Sequence, residues 1–227
     1  MKLEKVTESA MRWYDDACGT ALGLELLGER WSMLIVRELM FGARRFSEVR
    51  AGLPGISANV LTQRLDGLAR AGVLVRHGAP SPLYELTPWG YQAEETIQAL
   101  GRWAARSPAH DPTLPLSAAS MMLSLRTMID RTRARGMTLT LGFRFPRDSF
   151  VARLADGALP IVRAPAAGEV VFDTVPEVLA GIIYGKRPVD AAEAAGDLVF
   201  HGNRAGAEAF IDLFHLPEKA RMPHAPG

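Results

Sequence analysis

The chain has 227 residues, of which 48% are hydrophobic and 22% charged, and its formal net charge is +1. This length suffices for one large domain or two modest ones, and the composition excludes wholesale disorder. No apolar run reaches the ~18 residues of a membrane helix, and the first residues lack the apolar core of a signal peptide. Cys18 is the only cysteine, which excludes an intrachain disulfide. We therefore expect a cytoplasmic protein without a membrane segment.

The first part of the chain predicts a series of helices. Apolar residues recur at helical spacing over residues 20–40, with a break at residues 28–30. A short helix is predicted over residues 45–51, and another over residues 57–71, where Ser57 is a good N-cap residue. Between these two helices, the run Leu53-Pro54-Gly55 predicts a tight bend.

A hairpin and a long helix follow. Residues 73–76 and 83–86 read as two strands around a turn rich in glycine and proline. Thr87-Pro88 predicts the cap and first turn of a helix that reaches residue 105. Residues 107–117 carry three prolines and no helical period, so we interpret them as a linker.

The second half predicts mixed structure. We expect a helix over residues 118–135 and a strand over residues 137–145, whose apolar residues alternate strictly. Further strands are predicted at 149–155, 159–164, 169–173 and 197–201, and further helices at 176–184 and 204–214. The fold class is therefore α+β, with a domain at 1–106, the linker at 107–117, and a second domain at 118–227.

The helix predicted over residues 57–71 has two distinct faces. At about 100° per residue, Val60, Leu61, Leu65 and Leu68 share one side, together with the stem of Arg64. We therefore expect Arg64 to form a structural ion pair rather than a base contact. The opposite side carries Asn59, Thr62, Gln63, Asp66 and Arg70. Asparagine and glutamine can pair with adenine edges, threonine can contact a thymine methyl group, and arginine can reach guanine or phosphate.

Positive charge is concentrated around this helix. Residues 42–76 contain six arginines and two acidic residues, a local balance of +4. Together with the bend and the hairpin, this predicts a helix-turn-helix followed by a wing, although a solvated face of a helical bundle is the alternative. The predicted DNA-binding residues are Arg44, Arg45, Ser57, Asn59, Thr62, Gln63, Arg70, Arg76 and His77. Of these, Arg44 and Arg45 are expected on phosphates, and Arg76 and His77 on the wing.

Residues 18–106 resemble the HxlR family of bacterial winged-helix regulators. The resemblance rests on CGTALGLELLGERWSMLIVRELMFGARRFSEVRAGLPGISANVLTQRLDGLARAGVL and on YELTPWG, although the wing is shorter than is usual in the family. It implies a homodimer that binds a dyad-related site in double-stranded DNA and pairs through the first helix and the helix after the wing.

Cys18 occupies a position at which many HxlR relatives sense oxidants or electrophiles. A thiol at a helix N-terminus has a lowered pKa, whereas the nearby Asp15 and Asp16 would raise it. The resemblance thus makes Cys18 a candidate redox sensor, and the alternative is a small buried hydrophobic residue.

Residues 120–216 resemble the sterol-carrier-protein type two fold. The resemblance rests on TLTLGFRF and on TVPEVLAGIIYGKRPVDAAEAAGDLVFHGNRAGAEAFIDLF. It implies helices over a curved sheet around an apolar tunnel that accepts lipid-like ligands. The candidate ligand-binding residues are Leu139, Leu141, Phe143, Phe150, Ile183 and Phe210, and the alternative is that they simply fill the core.

The sequence favours a regulator over an enzyme. No HExxH, CxxC or GxSxG motif occurs, and the histidines do not fall at metal-ligand spacing, so we expect no catalytic site, metal or cofactor. The predicted function is transcription regulation through sequence-specific DNA binding as a dimer, with a C-terminal domain that senses a small apolar ligand or only extends the dimer. The alternative is a lipid or metabolite carrier whose N-terminal half only dimerises.

Overall fold

The computed structural model describes residues 14–221. Residues 1–13 of the first predicted domain and residues 222–227 of the second lie outside the described residues. The helices are α1 (Gly19–Leu27), α2 (Ser32–Leu39), α3 (Phe46–Ala51), α4 (Ala58–Arg70), α5 (Pro88–Ala105), α6 (Ala118–Met128), α7 (Pro176–Ile183), α8 (Val189–Ala194) and α9 (Arg204–Ile211). The strands are β1 (Arg44–Arg45), β2 (Leu74–His77), β3 (Leu83–Leu86), β4 (Thr138–Phe145), β5 (Asp148–Ala155), β6 (Ile161–Arg163), β7 (Val170–Asp173) and β8 (Val199–Gly202). None of the described helices is both long and apolar enough to cross a membrane.

The N-terminal unit is a helix cluster with a small antiparallel sheet. α2 packs against α4, α5 and β3, and the sheet has the strand order β1-β3-β2. The predicted helices and the hairpin are confirmed to within two residues. The break near residue 30 arises where Trp31 takes a left-handed conformation, with φ +82°, immediately before α2. The pairing of Arg44 with Tyr84, which makes β1 a third strand, was not predicted.

Two glycines of the N-terminal unit occupy positions where a residue with a side chain would be strained or would collide with the backbone. Gly55, in the bend between α3 and α4, has φ +89°, which a residue with a Cβ adopts only with strain. Gly90, in the first turn of α5, lies so close to the Val73 carbonyl oxygen that a Cβ there would collide with it. The N-cap residue of α5 also contacts the chain just before the hairpin, because the Thr87 hydroxyl donates to the Gly72 carbonyl at 2.8 Å. The Thr-Pro-Trp-Gly run therefore joins α5 to the start of the hairpin.

The C-terminal unit is built on a five-stranded sheet of order β6-β5-β4-β7-β8. β4 runs antiparallel to β5 and parallel to β7, with Leu141 opposite Val170. The predicted alternation of the central strand is confirmed, since Leu139, Leu141, Phe143 and Phe145 are all buried. Stacked and edge-on phenylalanines fill the space between this sheet and the helices above it.

Two helices predicted for the second half were too long, and one helix was missed. The helix predicted over residues 118–135 ends at Met128, because Ile129 is extended and pairs with Phe214. The Asp130 carboxylate then accepts hydrogen bonds from the backbone N–H groups of Thr132 and Arg133, both at 3.0 Å, which holds a turn instead of a helix. The helix predicted over residues 204–214 ends at Ile211, and α8 was not predicted at all.

The two units pack tightly against each other. Residues 107–117 contain no helix or strand, as predicted, yet α6 contacts both α2 and α5, and buried residues of both units form one continuous core. Polar contacts cross the same junction. The Ser117 hydroxyl donates to Glu38 at 2.6 Å, and Arg126 pairs with Glu94 at 2.9 Å. The C-terminal unit therefore contacts α2, the helix against which α3 and α4 of the helix-turn-helix pack.

Candidate nucleic-acid interface

α4 presents a polar edge to the outside of the molecule. Its N-cap residue Ser57 accepts a hydrogen bond from the Val60 N–H at 3.2 Å, so the helix begins where the sequence predicts. Leu61, Leu65 and Leu68 are almost fully buried beneath it. The other side is exposed throughout, as the periodicity predicts, and carries Asn59, Thr62, Gln63, Asp66 and Arg70. Short hydrogen-bonding groups therefore project from the first two turns, as a helix entering a major groove requires.

Buried residues hold the bend that orients α4. Leu53 and Ile56, on either side of Pro54-Gly55, are buried in the core at 2% and 5% exposure. At the start of α3, the Glu48 carboxylate accepts a hydrogen bond from the Arg45 N–H at 2.7 Å. The two helices thus meet at a bend that is anchored on both sides, which is the geometry of a helix-turn-helix.

Arg64 does not belong to the exposed edge. Its guanidinium pairs with the Glu29 carboxylate, and its Nε donates to the Arg30 carbonyl at 3.2 Å. The prediction of a structural ion pair is confirmed. The pair connects α4 to the turn before α2, so it contributes to the orientation of the helix rather than to its outer surface.

The hairpin places further basic residues beside α4. Arg76 is exposed on β2, and His77 Nε2 lies 3.3 Å from a Glu85 carboxylate oxygen on the neighbouring strand. Arg45 is also exposed and donates to the Ser81 hydroxyl at 2.7 Å, near the tip of the hairpin. Of the predicted wing and phosphate residues, Arg45, Arg76 and His77 are therefore on the surface, and His77 lies beside the Glu85 carboxylate.

The prediction that Arg44 contacts phosphate was wrong. Its side chain is only 10% exposed, and Nη1 lies 2.5 Å from an Asp148 carboxylate oxygen of the C-terminal unit. The same carboxylate accepts two hydrogen bonds from Arg163, which also donates to the Phe41 carbonyl at 2.8 Å. Arg44 faces away from solvent because the C-terminal sheet covers it, an arrangement that no local pattern in the sequence indicates.

Cys18 is exposed, so its interpretation as a buried hydrophobic residue was wrong. It is the N-cap residue of α1, and its own N–H donates to the Asp16 carboxylate at 2.8 Å. Polar groups at the start of α1, the Thr20 backbone N–H, the Thr20 hydroxyl and the Ala21 backbone N–H, lower the pKa of the Cys18 thiol below its ordinary value. The thiol is therefore accessible and more ionised than a free cysteine, while its role as a sensor stays a prediction.

The six residues predicted to line a ligand tunnel lie in the packed core instead. Leu139, Leu141, Phe143, Phe150, Ile183 and Phe210 are at most 5% exposed. Phe143, for example, stacks on Phe172 with ring centroids 5.8 Å apart and also contacts Phe210. The alternative that these residues fill the core is the arrangement observed.

A cavity that the sequence did not indicate lies at the junction of the two units. Its volume is about 420 Å³, and residues from α2, α5, α6 and α7 line it. The one signal in the sequence is the set of small residues on facing helices, Gly101 and Ala104 on α5 and Ser120 and Ser124 on α6. That signal becomes interpretable only when the pairing of α5 with α6 is known.

The N-terminal region matches the family described as HxlR-like helix-turn-helix, over residues 26–111. One similar protein is the HTH-type transcriptional regulator YvaP of Bacillus subtilis (strain 168), with 38% identity over 85 residues, covering 36% of this chain and 79% of YvaP. Another is the HTH-type transcriptional regulator YtfH of Escherichia coli (strain K12), with 34% identity over 94 residues, covering 40% of this chain and 75% of YtfH. The crystal structure of quinone-bound YodB from B. subtilis is 33% identical, with a TM-score of 0.35, and the match covers 37% of this chain and 93% of that one. By this N-terminal region, the chain belongs to the family of HxlR-like helix-turn-helix proteins.

Proposed function

We propose that this protein is a transcription regulator that binds a dyad-related DNA site as a homodimer and reads its sequence with α4. The observation that carries the proposal is the exposed row Asn59, Thr62 and Gln63 on the first turns of a helix whose opposite face is fully packed. Membership of a helix-turn-helix family supports DNA as the partner. In this arrangement, Asn59 and Gln63 contact base edges and Thr62 contacts a base methyl group or a phosphate.

Exposed arginines around α4 support binding to the phosphate backbone. Of the six arginines between residues 42 and 76, Arg44 and Arg64 are engaged in the ion pairs described above. Arg45, Arg50, Arg70 and Arg76 are exposed. If each of these four cations contacts one phosphate, a dimer makes about eight phosphate contacts. The slope of log affinity against log salt should then be about −7, at about −0.9 for each contact.

Exposed apolar residues on α1 and α5 support a homodimer. Leu22 and Leu24 on α1 are 45% and 48% exposed, and Trp103 on α5 is 73% exposed. Large apolar side chains in this number on two helices are typical of a surface that another protein covers. Pairing through these helices would place two copies of α4 on one face, as a dyad-related site requires.

We propose that the C-terminal unit, residues 118–227, is a sterol-carrier-protein-like unit that modulates DNA binding by the domain at 1–106, through a ligand at the junction of the two units or by extending the dimer. Its sheet of mixed direction, with α9 packed on β7 and with α6 in contact with α7, is compatible with that fold. Its direct contact with α2, which also packs on α4, offers a route by which a ligand could change DNA affinity. The linker at 107–117 lies beside this contact and lines the junction cavity through His110, Pro112 and Leu116.

Selection of binding sites from random DNA tests the reading of sequence by α4. Wild-type protein should enrich a dyad-related motif, and each good bidentate base contact should discriminate by about 1–3 kcal/mol. The double variant Asn59→Ala, Gln63→Ala should lose that preference and keep weak binding that falls steeply with salt. Gln92→Ala, which makes the same kind of change at an exposed position of α5, is the control and should select the wild-type motif.

Two results would contradict the proposal. If the double variant enriches the wild-type motif, α4 is not the reading helix. If wild-type protein shows no affinity for any duplex at low salt, the protein is not a DNA-binding regulator. Arg70→Ala adds an independent measurement, since loss of one phosphate contact per subunit should weaken binding to all sequences and make the salt slope shallower by about 2 for the dimer.

A further inference from the structure

The cavity at the junction of the two units has the size and lining of a small-molecule site. Its volume of about 420 Å³ lies within the ~300–1,000 Å³ typical of ligand pockets. Most of its wall is apolar, with contributions from the N-terminal unit (Met33, Ile97 and Leu100) and from the C-terminal unit (Leu123 and Met128). Both units are needed to form it, so it is a property of the fused chain.

Three hydroxyl groups in the wall, those of Ser124, Thr127 and Tyr184, are already engaged with the protein. The Ser124 and Tyr184 hydroxyls are 2.6 Å apart and hydrogen-bond each other, and the Thr127 hydroxyl donates to the Leu123 carbonyl at 2.6 Å. Burial raises the pKa of Tyr184, so its phenol stays neutral at any physiological pH. The wall beside these groups is therefore suited to the apolar body of a ligand rather than to a polar one.

The charge in the lining has one sign. Among the lining residues, Arg37 and His110 can carry positive charge, and no carboxylate of the described residues belongs to the lining. Arg37 donates from Nε and Nη2 to a single Glu38 oxygen, at 3.2 and 3.0 Å, while its Nη1 makes no hydrogen bond to any residue between 14 and 221. Glu38 itself lines the neighbouring cleft instead of this cavity. At the other end, the Lys219 ammonium lies 3.4 Å from His110 Nδ1.

We propose that this cavity binds an apolar monocarboxylate, with its hydrocarbon part between α5 and α6 and its carboxylate at Arg37. The site lies between the two units rather than inside the C-terminal sheet domain, whose core is filled. That ligand binding at this site would regulate DNA binding rests on the proposed function. Because Arg37 is on α2, which packs on α4, an occupied cavity would bias the position of the reading helix.

Calorimetric titration with octanoate and with octan-1-ol tests the site and its charge preference. Octanoate should bind wild-type protein about 10–100-fold more tightly than octan-1-ol, since one charge-assisted hydrogen bond distinguishes the two molecules. Arg37→Met should reduce octanoate binding to the level of the alcohol and leave binding of the alcohol unchanged. Absence of octanoate binding, or equal affinity for acid and alcohol, would overturn the proposal.

A matched pair of leucine substitutions on α5 tests the location. Gly101 lines the cavity, and a Cβ added to it would have no neighbouring atom within 4 Å, so Gly101→Leu should fold and place its side chain at the cavity mouth. It should weaken both probes at least about tenfold. Ala99→Leu, at an exposed position two residues away, should change neither. Wild-type affinity in Gly101→Leu would place octanoate elsewhere and refute the site.

Two further measurements separate this inference from its alternatives. If octanoate does not bind and Gly101→Leu converts a dimer to a monomer in sedimentation, the cavity belongs to an interface between copies and the proposal is wrong. A DNA shift assay with and without octanoate separates the two functions. DNA binding by a protein that does not bind octanoate refutes only the ligand site, whereas specific octanoate binding by a protein without DNA affinity refutes only the proposed function.

Discussion

Replacing Asp148 with asparagine should destabilise the whole protein, because this carboxylate links the two units. It lies 2.5 Å from Arg44 of the N-terminal unit and 2.8 Å from Arg163, on the sheet of its own unit. Asp148 is 8% exposed, and the side chains of Arg44 and Arg163 are 10% and 22% exposed. Asparagine can keep a hydrogen bond but leaves two poorly solvated guanidinium groups without a compensating charge.

The size of the effect follows from that burial. Removing one partner of a buried ion pair typically costs about 3–5 kcal/mol, most of it the penalty of the charge left behind. With a urea dependence of about 3 kcal/mol/M, suitable for a chain of this size, the unfolding midpoint should fall by about 1–1.7 M. An exposed pair in the same sheet is the matched control. Arg144 and Asp173 lie 2.9 Å apart but are 50% and 35% exposed, so Asp173→Asn should cost about 0–1 kcal/mol.

Urea unfolding followed by circular dichroism provides the measurement. If Asp148→Asn and Asp173→Asn shift the midpoint equally, the buried contact does not hold the units together, and the reasoning from burial fails. The double variant Arg44→Met, Asp148→Leu separates the two origins of the cost. Because it removes Asp148 together with the more buried of its two partners and leaves only Arg163 unpaired, it should recover part of the stability that the single substitution loses.

Two further predictions follow from pKa shifts. Burial raises the pKa of Glu38 above its ordinary 4.5, against the opposing effect of Arg37. The folded state therefore holds a proton that the unfolded state releases, so stability is lost as pH rises above about 4.5. Glu38→Gln removes this loss, so its free energy of unfolding relative to wild type should increase as pH rises above about 4.5 in urea titrations; a constant difference would contradict the assignment. For Cys18, the pH midpoint of alkylation by monobromobimane should lie below the ~8.5 of a free thiol, because the polar groups of Thr20 and Ala21 lower the pKa of the thiol. Thr20→Val should raise that midpoint part of the way, and an unchanged midpoint would exclude the hydroxyl as a cause.

The candidate interface could be predicted from the sequence because its geometry is local. The exposed edge of α4 depends on helical period alone, and its beginning depends on Ser57, three residues before the N–H that it caps. The bend depends on Pro54-Gly55, whose conformations few other residues adopt. Even the role of Arg64 followed from its place on the packed side of the helix.

The buried position of Arg44 could not be predicted from the neighbouring sequence. The side chain lies in a basic segment, next to the exposed Arg45, and nothing within that segment distinguishes the two. What separates them is strand alternation: adjacent residues of β1 point to opposite faces, and one of those faces meets Asp148, 104 residues further along the chain. A pairing over that distance requires knowledge of how the two units dock, which the residues of neither unit specify alone.

The same dependence on docking explains why the predicted tunnel and the observed cavity lie in different places. The alternating strand β4 predicts an apolar face correctly, but an apolar face is equally suited to a packed core and to a tunnel. The helices above it decide between them, and here Phe172, Phe210 and Phe214 fill the space. The unfilled volume lies instead beside α2, a helix that contacts α4 on one side and α6 on another. Its neighbouring residues Arg37 and Glu38 line two different cavities of the junction, because consecutive positions on a helix are about 100° apart and each meets a different part of the C-terminal unit.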